Sequence, residues 1–600
     1  SVPIFFVRHH IAHAASMPID VHQLDNESLF LVMDGRGEWD TITAWLLKNG
    51  DLKNVLHTGM PHTIGDMYNM MGRFMGWREF GFEGQIMGLA PYGEPRNPHE
   101  HKLYEIVASA YKDFAQIQLD TLNFKLNPKY FFGSFQPEYL AQVRGWVTPY
   151  TPSPYFLELL APQFSPMPEG EQIDPSNPNH RPVCVLAYAL QNRTQELILS
   201  LVENLKLQFP YIKSLCVSGG VALNVTTNGE IIRRGLFNND NFITTPVPGD
   251  DGLSIGAALY FLHFYNRHQE VKRSYSSALL GREYSAFDVK VTLERFGLIG
   301  DKDCMEYFDL DDLVDTVATL IQQGHGIAWF QGREEAGPRA LGARSILFPL
   351  SDPNSNLRAN KSKRRQPWRP SAISILEEDA GLFLEHCTIA PYMSIAYLPS
   401  ALNKQVFQSG LHPADNSTRP QTVNDEDAPH LSRLLKKIKH KTGLGAVLNT
   451  SFNRSEPIVH FPEDALNTLY YLEGVEYLAI SNFLIRKGTY KPSIIAAAEE
   501  AKMQSAFKAF RETRNAHELL KILQSYPTYP QQVQIVFDGK YKIPMFKEGF
   551  DSKNLKDVID CLSVTENFSD NTAIEIKPHD TPYKPVILRL LTNINRKSVL

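Results

Sequence analysis

Residues 214–224, SLCVSGGVALN, and residues 246–259, PVPGDDGLSIGAAL, decide the fold. In the first stretch an apolar run ends on Ser218, the doublet Gly219-Gly220 follows, and a helical pattern opens directly after it. About 30 residues later the second stretch repeats the plan, with Gly249, Asp250 and Asp251 as the turn. Strand, glycine turn and helix in alternation define an α/β domain, whose strands are expected to be largely parallel. The turns point to function as well. Bare backbone at Gly219 and Gly220 lets a nucleotide approach closely.

Toward the N-terminus, Asp34 follows the apolar strand LFLVM and opens the turn DGRGEW, so its carboxylate should project from a strand end, where α/β folds place ligands. Before it stands VRHHIAHAAS. On a helix, His9 and His13 share one face, and neutral imidazoles on one face can chelate a metal. Two histidines with Asp34 and a carboxylate of the Asp250-Asp251 doublet make a nitrogen and oxygen site for iron, manganese or another divalent ion. The methionines at 67, 70, 71 and 75 have the spacing of a core helix, not of a copper site.

Toward the C-terminus a second α/β run begins near Leu310, with a helix ending at Gly324, the strand GIAWF and a loop rich in glycine and arginine. Arg333, Arg339 and Arg344 cluster in GREEAGPRALGARS, and Lys363, Arg365 and Arg369 in KSKRRQPWRP. Cations packed so densely call for an anion, and guanidinium forks suit phosphate oxygens. Asn449, Ser451 and Asn453 in LNTSFN offer short polar groups for a phosphate or an amide. The lysines from 436 to 441 read as the wet face of a helix.

The whole chain sets the frame. Six hundred residues exceed one core. A composition of 43% hydrophobic and 21% charged residues is that of folded globular domains. A formal net charge of -6 offers no field for nucleic acid. Five scattered cysteines without a CxxC pair exclude a disulfide framework and a zinc knuckle and point to a reducing, cytoplasmic setting. No apolar run reaches the ~18 to 20 residues of a membrane span. The Pro-rich stretch from Thr148 to Pro182 reads as a surface insertion. The opening Ser-Val-Pro-Ile, so close to a dense motif, leads us to expect an absent N-terminal portion.

HHIAHAAS, DGRGEW, EGQIMGLAPYG, SGGVALN, GDDGLSIGAAL, GREEAGPRALGARSIL and LNTSFNRSEPIVHFPEDAL stand in an order and spacing that resembles the O-carbamoyltransferase family, which includes enzymes carbamoylating nodulation factor, cephamycin, novobiocin and tobramycin. The resemblance covers about residues 1–487. It implies an actin/sugar-kinase-like (TsaD-like) metal and nucleotide domain over 1–285 and a YrdC-like α/β domain over 286–490; residues 491–600, helical and charged in pattern and then strand-like, read from composition as a small α+β extension. It further implies that the YrdC-like domain condenses ATP with carbamoyl phosphate to carbamoyl-adenylate, and that the first domain passes the carbamoyl group to a hydroxyl of a small-molecule acceptor.

On this resemblance His9, His13, Asp34 and Asp251 match the metal ligands, with Asp250 as the rival in the doublet. Iron is the first expectation, manganese or magnesium the alternatives. Arg339, Arg344, Lys363 and Arg369 take the catalytic part. Gly219, Gly220, Asn224, Arg333, Arg365, Asn449, Ser451 and Asn453 hold the nucleotide and carbamoyl phosphate. His412, Asp415 and Arg419 match a family string near the second pocket. Gln85, where relatives carry lysine, and the string RPSAISIL depart from the family pattern. Expected partners are ATP, carbamoyl phosphate and the acceptor, with neither nucleic acid nor membrane, and a homodimer as the assembly to consider. Rival readings are a tRNA threonylcarbamoyl enzyme, which tRNA offered against a polyol would separate, and a non-catalytic nucleotide-binding protein, which would form no carbamoyl-adenylate.

Overall fold

The computed structural model describes residues 6–17, 27–48, 51–77, 81–133, 150–160, 172–262, 277–401, 403–454 and 456–488, and the backbone of 534–538 and 541–545. The chain divides into two units, Ser1–Gly488 and Thr489–Leu600. Of the second unit, the strands Gln534–Asp538 and Tyr541–Met545 form an antiparallel hairpin. The helical pattern read after residue 490 lies outside the described residues.

The first unit is α/β and is built on two main sheets, whose strands alone are numbered here. The first contains β1 (Ser28–Gly37), β2 (Asp40–Lys48), β3 (Asp51–Gly59), β4 (Ser214–Ser218) and β5 (Phe242–Ile243), in the order β3-β2-β1-β4-β5. β4 lies parallel to both β1 and β5, whereas β1, β2 and β3 form an antiparallel meander. The expectation of a largely parallel sheet is corrected here. A parallel neighbour needs a crossover of a dozen or more residues, and the short link from Gly37 to Asp40, with Glu38 at φ 56°, permits only a hairpin. β1 is central, and Leu29 to Met33 are all buried. Helix Ile64–Met75 buries Met67, Met70, Met71 and Met75 and is capped by the Thr63 side chain, which accepts the Asp66 N–H. It packs on β1 and, on another side, against the long helix Arg181–Gln208.

The second sheet contains β6 (Cys304–Glu306), β7 (Gly326–Phe330), β8 (Arg344–Phe348), β9 (Ala372–Leu376), β10 (Pro420–Val423), β11 (Ala446–Ser451), β12 (Val475–Ile480) and β13 (Phe483–Arg486). Their order is β6-β13-β12-β7-β8-β11-β9-β10. Helices Leu310–Gln322 and Pro429–Thr442 lay their apolar stripes on it, joining Trp329, Leu347 and Val447 in one core. Among the described residues, no helix is long and apolar enough to cross a membrane.

Candidate active site

Helix His9–Ala15 sets His9 and His13 one turn apart beside the C-terminal part of β1. His9 Nε2 lies 3.1 Å from His13 Nε2, 3.2 Å from an Asp34 oxygen and 3.3 Å from an Asp250 oxygen. His13 Nε2 is 3.5 Å from that same Asp250 oxygen. The four ligand atoms all lie within 4.8 Å of one another. Two imidazole nitrogens and two carboxylate oxygens this close fit a divalent transition ion.

Backbone holds the cage in place. The Gly220 N–H donates to the other Asp34 oxygen at 2.9 Å, and the Ser218 hydroxyl donates to the His13 carbonyl at 2.9 Å. Gly219 takes φ +89°, and a Cβ there would meet the Met33 carbonyl oxygen at 2.2 Å. A Cβ on Gly256 would stand 1.8 Å from the Ala12 carbonyl oxygen, so this glycine lets helix Leu253–Tyr260 touch helix His9–Ala15.

The electrostatics of the cage are those of a cation seat. Asp250, then Asp34, hold the His9 imidazole up to about 9. His13 and His9 hold Asp250 far below the usual carboxylate range. Burial alone would raise Asp34, but His9, His13 and the Gly220 N–H draw it down. Behind the cage, burial pushes the Asp66 carboxyl up to about 7 against the opposing pull of Arg36.

The expected ligand Asp251 is corrected to Asp250. The turn Asp250–Gly252 is a 3-10 helix, in which neighbouring side chains diverge by about a third of a turn. Asp250 therefore faces the histidines while Asp251, pushed up by burial, accepts backbone N–H groups of its own turn. A doublet read by string matching does not reveal which member faces inward.

The second site is a cup of about 240 Å³. Arg339, Arg365, Arg369 and Arg419 line it, with Asn449, Thr450 and Ser451 at the end of β11. Among the described residues these four guanidinium groups make no ion pair with a carboxylate. Burial and their mutual repulsion lower Arg339 to about 10 and Arg365 to about 9, and Arg369 and Arg419 are lowered as well. Arg365 Nη2 is steadied by the Ser371 hydroxyl at 3.0 Å, and its Nε by the Asn360 side-chain oxygen. The cup is also lined by Gly84, Met87 and Gly88 of helix Glu83–Leu89 and by Val225 and Thr226, so residues close to the first sheet form part of its wall. His412 belongs to this wall and bonds the Gly88 carbonyl at 2.7 Å.

Three predicted cations are placed elsewhere, which corrects their expected role in the pocket. Arg344 is fully buried, 3.6 Å above the Phe330 ring, and its guanidinium donates to the carbonyls of Gln331, Gly332, Ala343 and Arg282. As the first residue of a central strand it points into the sheet layer and holds the loop behind it. Lys363 is buried and donates to the Ser451 hydroxyl at 2.8 Å, the Ser451 and Asn453 carbonyls and the Asn453 side-chain oxygen, so it ties two loops of the cup together from behind. Arg333 is exposed and donates to the Leu280 carbonyl.

Of the remaining expected residues, Asn224 caps helix Val225–Arg233 by accepting the Thr227 N–H and pairs with Gln191, Asn449 donates to the Ser374 hydroxyl, and Asn453 bonds Ser451 and Lys363. The reading of single strings missed Glu335. One of its oxygens accepts the N–H groups of Leu341, Ala343 and Arg344 at 2.7, 2.6 and 3.1 Å and so folds the loop that carries Arg339. The signal was the acidic doublet Glu334-Glu335 among arginines and glycines.

Comparison with known proteins gives the chain a family. The Carbamoyltransferase N-terminus family matches residues 1–145 and 163–259, and the Carbamoyltransferase C-terminus family matches residues 318–487. An uncharacterized protein of Synechocystis sp. is 31% identical over 513 residues, 81% of this chain and 76% of that protein. Nodulation protein NolO of Bradyrhizobium diazoefficiens is 28% identical over 80% of this chain and 79% of its own length. The 3'-hydroxymethylcephem-O-carbamoyltransferase of Amycolatopsis lactamdurans is 29% identical over 48% of this chain and 52% of its own length. Among solved structures, full-length HypF in a phosphate- and nucleotide-bound form covers 30% of this chain and 22% of its own at 16% identity, and its TM-score of 0.22 carries no weight. The chain belongs to the O-carbamoyltransferase family and is a carbamoyltransferase.

Proposed function

We propose that this carbamoyltransferase works in two stages. In the cup, water hydrolyses carbamoyl phosphate to carbamate and inorganic phosphate, and a carbamate oxygen attacks the α-phosphorus of ATP, releasing pyrophosphate and leaving carbamoyl-adenylate. Near the cation cage, the hydroxyl of a small natural-product acceptor then takes the carbamoyl group and AMP departs. The observation that carries this reading is a cup of four guanidinium groups without a carboxylate partner among the described residues, in a folded unit that also holds an N/O cage. Forked donors without counter-charges suit two phosphorylated reagents, whose several anionic oxygens would be neutralised together.

Each residue then has a task. Arg339, Arg369 and Arg419 bind and orient phosphate oxygens, and Arg365 does so from a position fixed by Asn360 and Ser371. Asn449, Thr450 and Ser451 offer hydrogen bonds to the carbamoyl group. A divalent ion held by His9, His13, Asp34 and Asp250 would supply Lewis-acid polarisation and charge neutralisation. The Gly219-Gly220 backbone, whose amide already orients Asp34, would lie against the nucleotide. This division supports reading the first sheet as TsaD-like and the second as YrdC-like. A cytoplasmic setting suits ATP and carbamoyl phosphate as reagents and, among the described residues, four free cysteines. The test is pyrophosphate release from ATP on adding carbamoyl phosphate. Release should depend on both reagents and fall at least a hundredfold in Arg339→Ala; ATP turnover indifferent to carbamoyl phosphate would reject the adenylation stage.

A further inference from the structure

The four arginines occupy only part of the cup's wall. Met87, Gly88, Pro91, Trp368 and Pro370 supply an apolar stretch of it. A Cβ on Gly88 would stand 3.7 Å from Pro370 and 3.8 Å from Trp368, so these residues pack closely. Beside them lies Asp415, the one carboxylate among the described residues that line the cup. His412 fixes this neighbourhood, since it bonds the Gly88 carbonyl and lies 3.5 Å from an Asp415 oxygen.

One oxygen of Asp415 is spoken for and the other is not. Oδ1 accepts the Ser417 N–H at 2.8 Å, which shapes the loop leading into β10. Oδ2 has no partner among the described residues. Three neighbours that might have served it are committed elsewhere. His412 Nδ1 accepts the Ala414 N–H at 3.2 Å, so the ring's proton sits on Nε2 and goes to the Gly88 carbonyl. Burial, then the charge of Asp415, push the Tyr92 hydroxyl up to about 12; it keeps its proton and donates it to the Trp368 carbonyl at 3.2 Å. The Ser417 N–H is already on Oδ1. The Asp415 side chain is 35% exposed, so a guest in the cup can reach it. The Ser417 hydroxyl, which also lines the cup, is likewise unused among the described residues.

A carboxylate in an anion cup opposes binding unless the ligand offers it a donor. It also repels phosphate oxygens from its own side and leaves them to the arginines, which fixes the direction in which a phosphorylated ligand lies. The donor is therefore an uncharged part of the same ligand, next to a surface suited to the apolar stretch. A vicinal diol answers this. Its hydroxyls donate to the carboxylate, and one of them accepts the Ser417 proton, which an aryl amine would not do. Given ATP in the cup as proposed above, we propose that Asp415, with Ser417, reads the 2'- and 3'-hydroxyls of the ribose and makes the cup selective for ribonucleotides. The base lies along Met87, Gly88 and Pro91. Asp415 takes no part in bond making.

AMP, 2'-deoxy-AMP and 3'-deoxy-AMP are the probes, titrated calorimetrically into the full chain. AMP should bind at least tenfold more tightly than either deoxy form. Asp415→Asn keeps an oxygen for the Ser417 N–H and replaces Oδ2 by a donor. It should weaken AMP at least tenfold, leave both deoxy forms within threefold, and so abolish the preference. Ser417→Ala, which removes one hydroxyl, should shrink the preference severalfold and decides the matter if Asp415→Asn does not fold. Equal binding of AMP and its deoxy forms by the wild type, or a full preference that survives both substitutions, would overturn the assignment. So would a preference for AMP over inosine monophosphate that Asp415→Asn abolishes, because the carboxylate would then read the base amine. Ribose selectivity without pyrophosphate release would reject the adenylation stage and keep this assignment; inorganic phosphate binding without any binding of AMP would overturn both.

Discussion

At the scale of single residues, Asp250 and Asp251 show how one position along a turn separates a ligand from a capping group. Asp250 reaches both histidines, and its exposed carboxylate is held ionised by them. Asp251 faces the turn's own amides. Asp250→Asn should therefore lower the affinity for manganese, measured by titration calorimetry on metal-free protein, by at least a hundredfold, because a neutral amide oxygen replaces a charged ligand. Asp251→Asn should change it less than threefold. Equal losses in the two variants would reinstate Asp251. Gly37 belongs to the same argument, since a Cβ there would lie 2.5 Å from the His9 ring. The small residue after DGR is thus fixed by an imidazole packed on it from an element outside its own strand.

At the scale of elements, the loop from Gly332 to Arg344 is folded around one carboxylate. Glu335 accepts three consecutive-turn amides, and charge-assisted bonds of this kind are about twice as strong as neutral ones. Glu335→Gln should cost about 1–3 kcal/mol of loop order. It should raise the KM for carbamoyl phosphate about tenfold while leaving manganese affinity at the distant cage unchanged; a parallel fall in both would mean general unfolding instead. This loop also shows what could be read from sequence. Strand and helix periodicity, the glycine turns and the HxxxH pair were legible because each is a local pattern. The direction of Arg344 was not, because alternation along β8 and the ring of Phe330 decide it. The meander of β1 to β3 was missed for a related reason, as two-residue links outweigh the prior for parallel strands.

At the scale of the first unit, the cup joins its two halves. Tyr92 donates to the Trp368 carbonyl, the Trp368 indole to the Ile173 carbonyl, and Asn228 to the Ser394 carbonyl, so residues from the N-terminal half of the unit support the wall that carries the arginines. Four like charges held there oppose folding when the cup is empty, whereas an anion bound only by the folded state stabilises it by RT ln(1 + [L]/Kd), about 2.7 kcal/mol at a hundredfold excess over Kd. Inorganic phosphate or carbamoyl phosphate should therefore raise the urea midpoint in proportion to the logarithm of its concentration. Arg419→Met supplies the decisive sign. If Arg419 served a structural ion pair, its removal would strand a buried carboxylate and destabilise the protein by several kcal/mol. Because its charge faces other arginines, the variant without anion should be at least as stable as the wild type, and the stabilisation by phosphate should shrink at least fivefold. A variant weaker than the wild type without anion, yet with the full response to phosphate, would contradict the cup as an anion site.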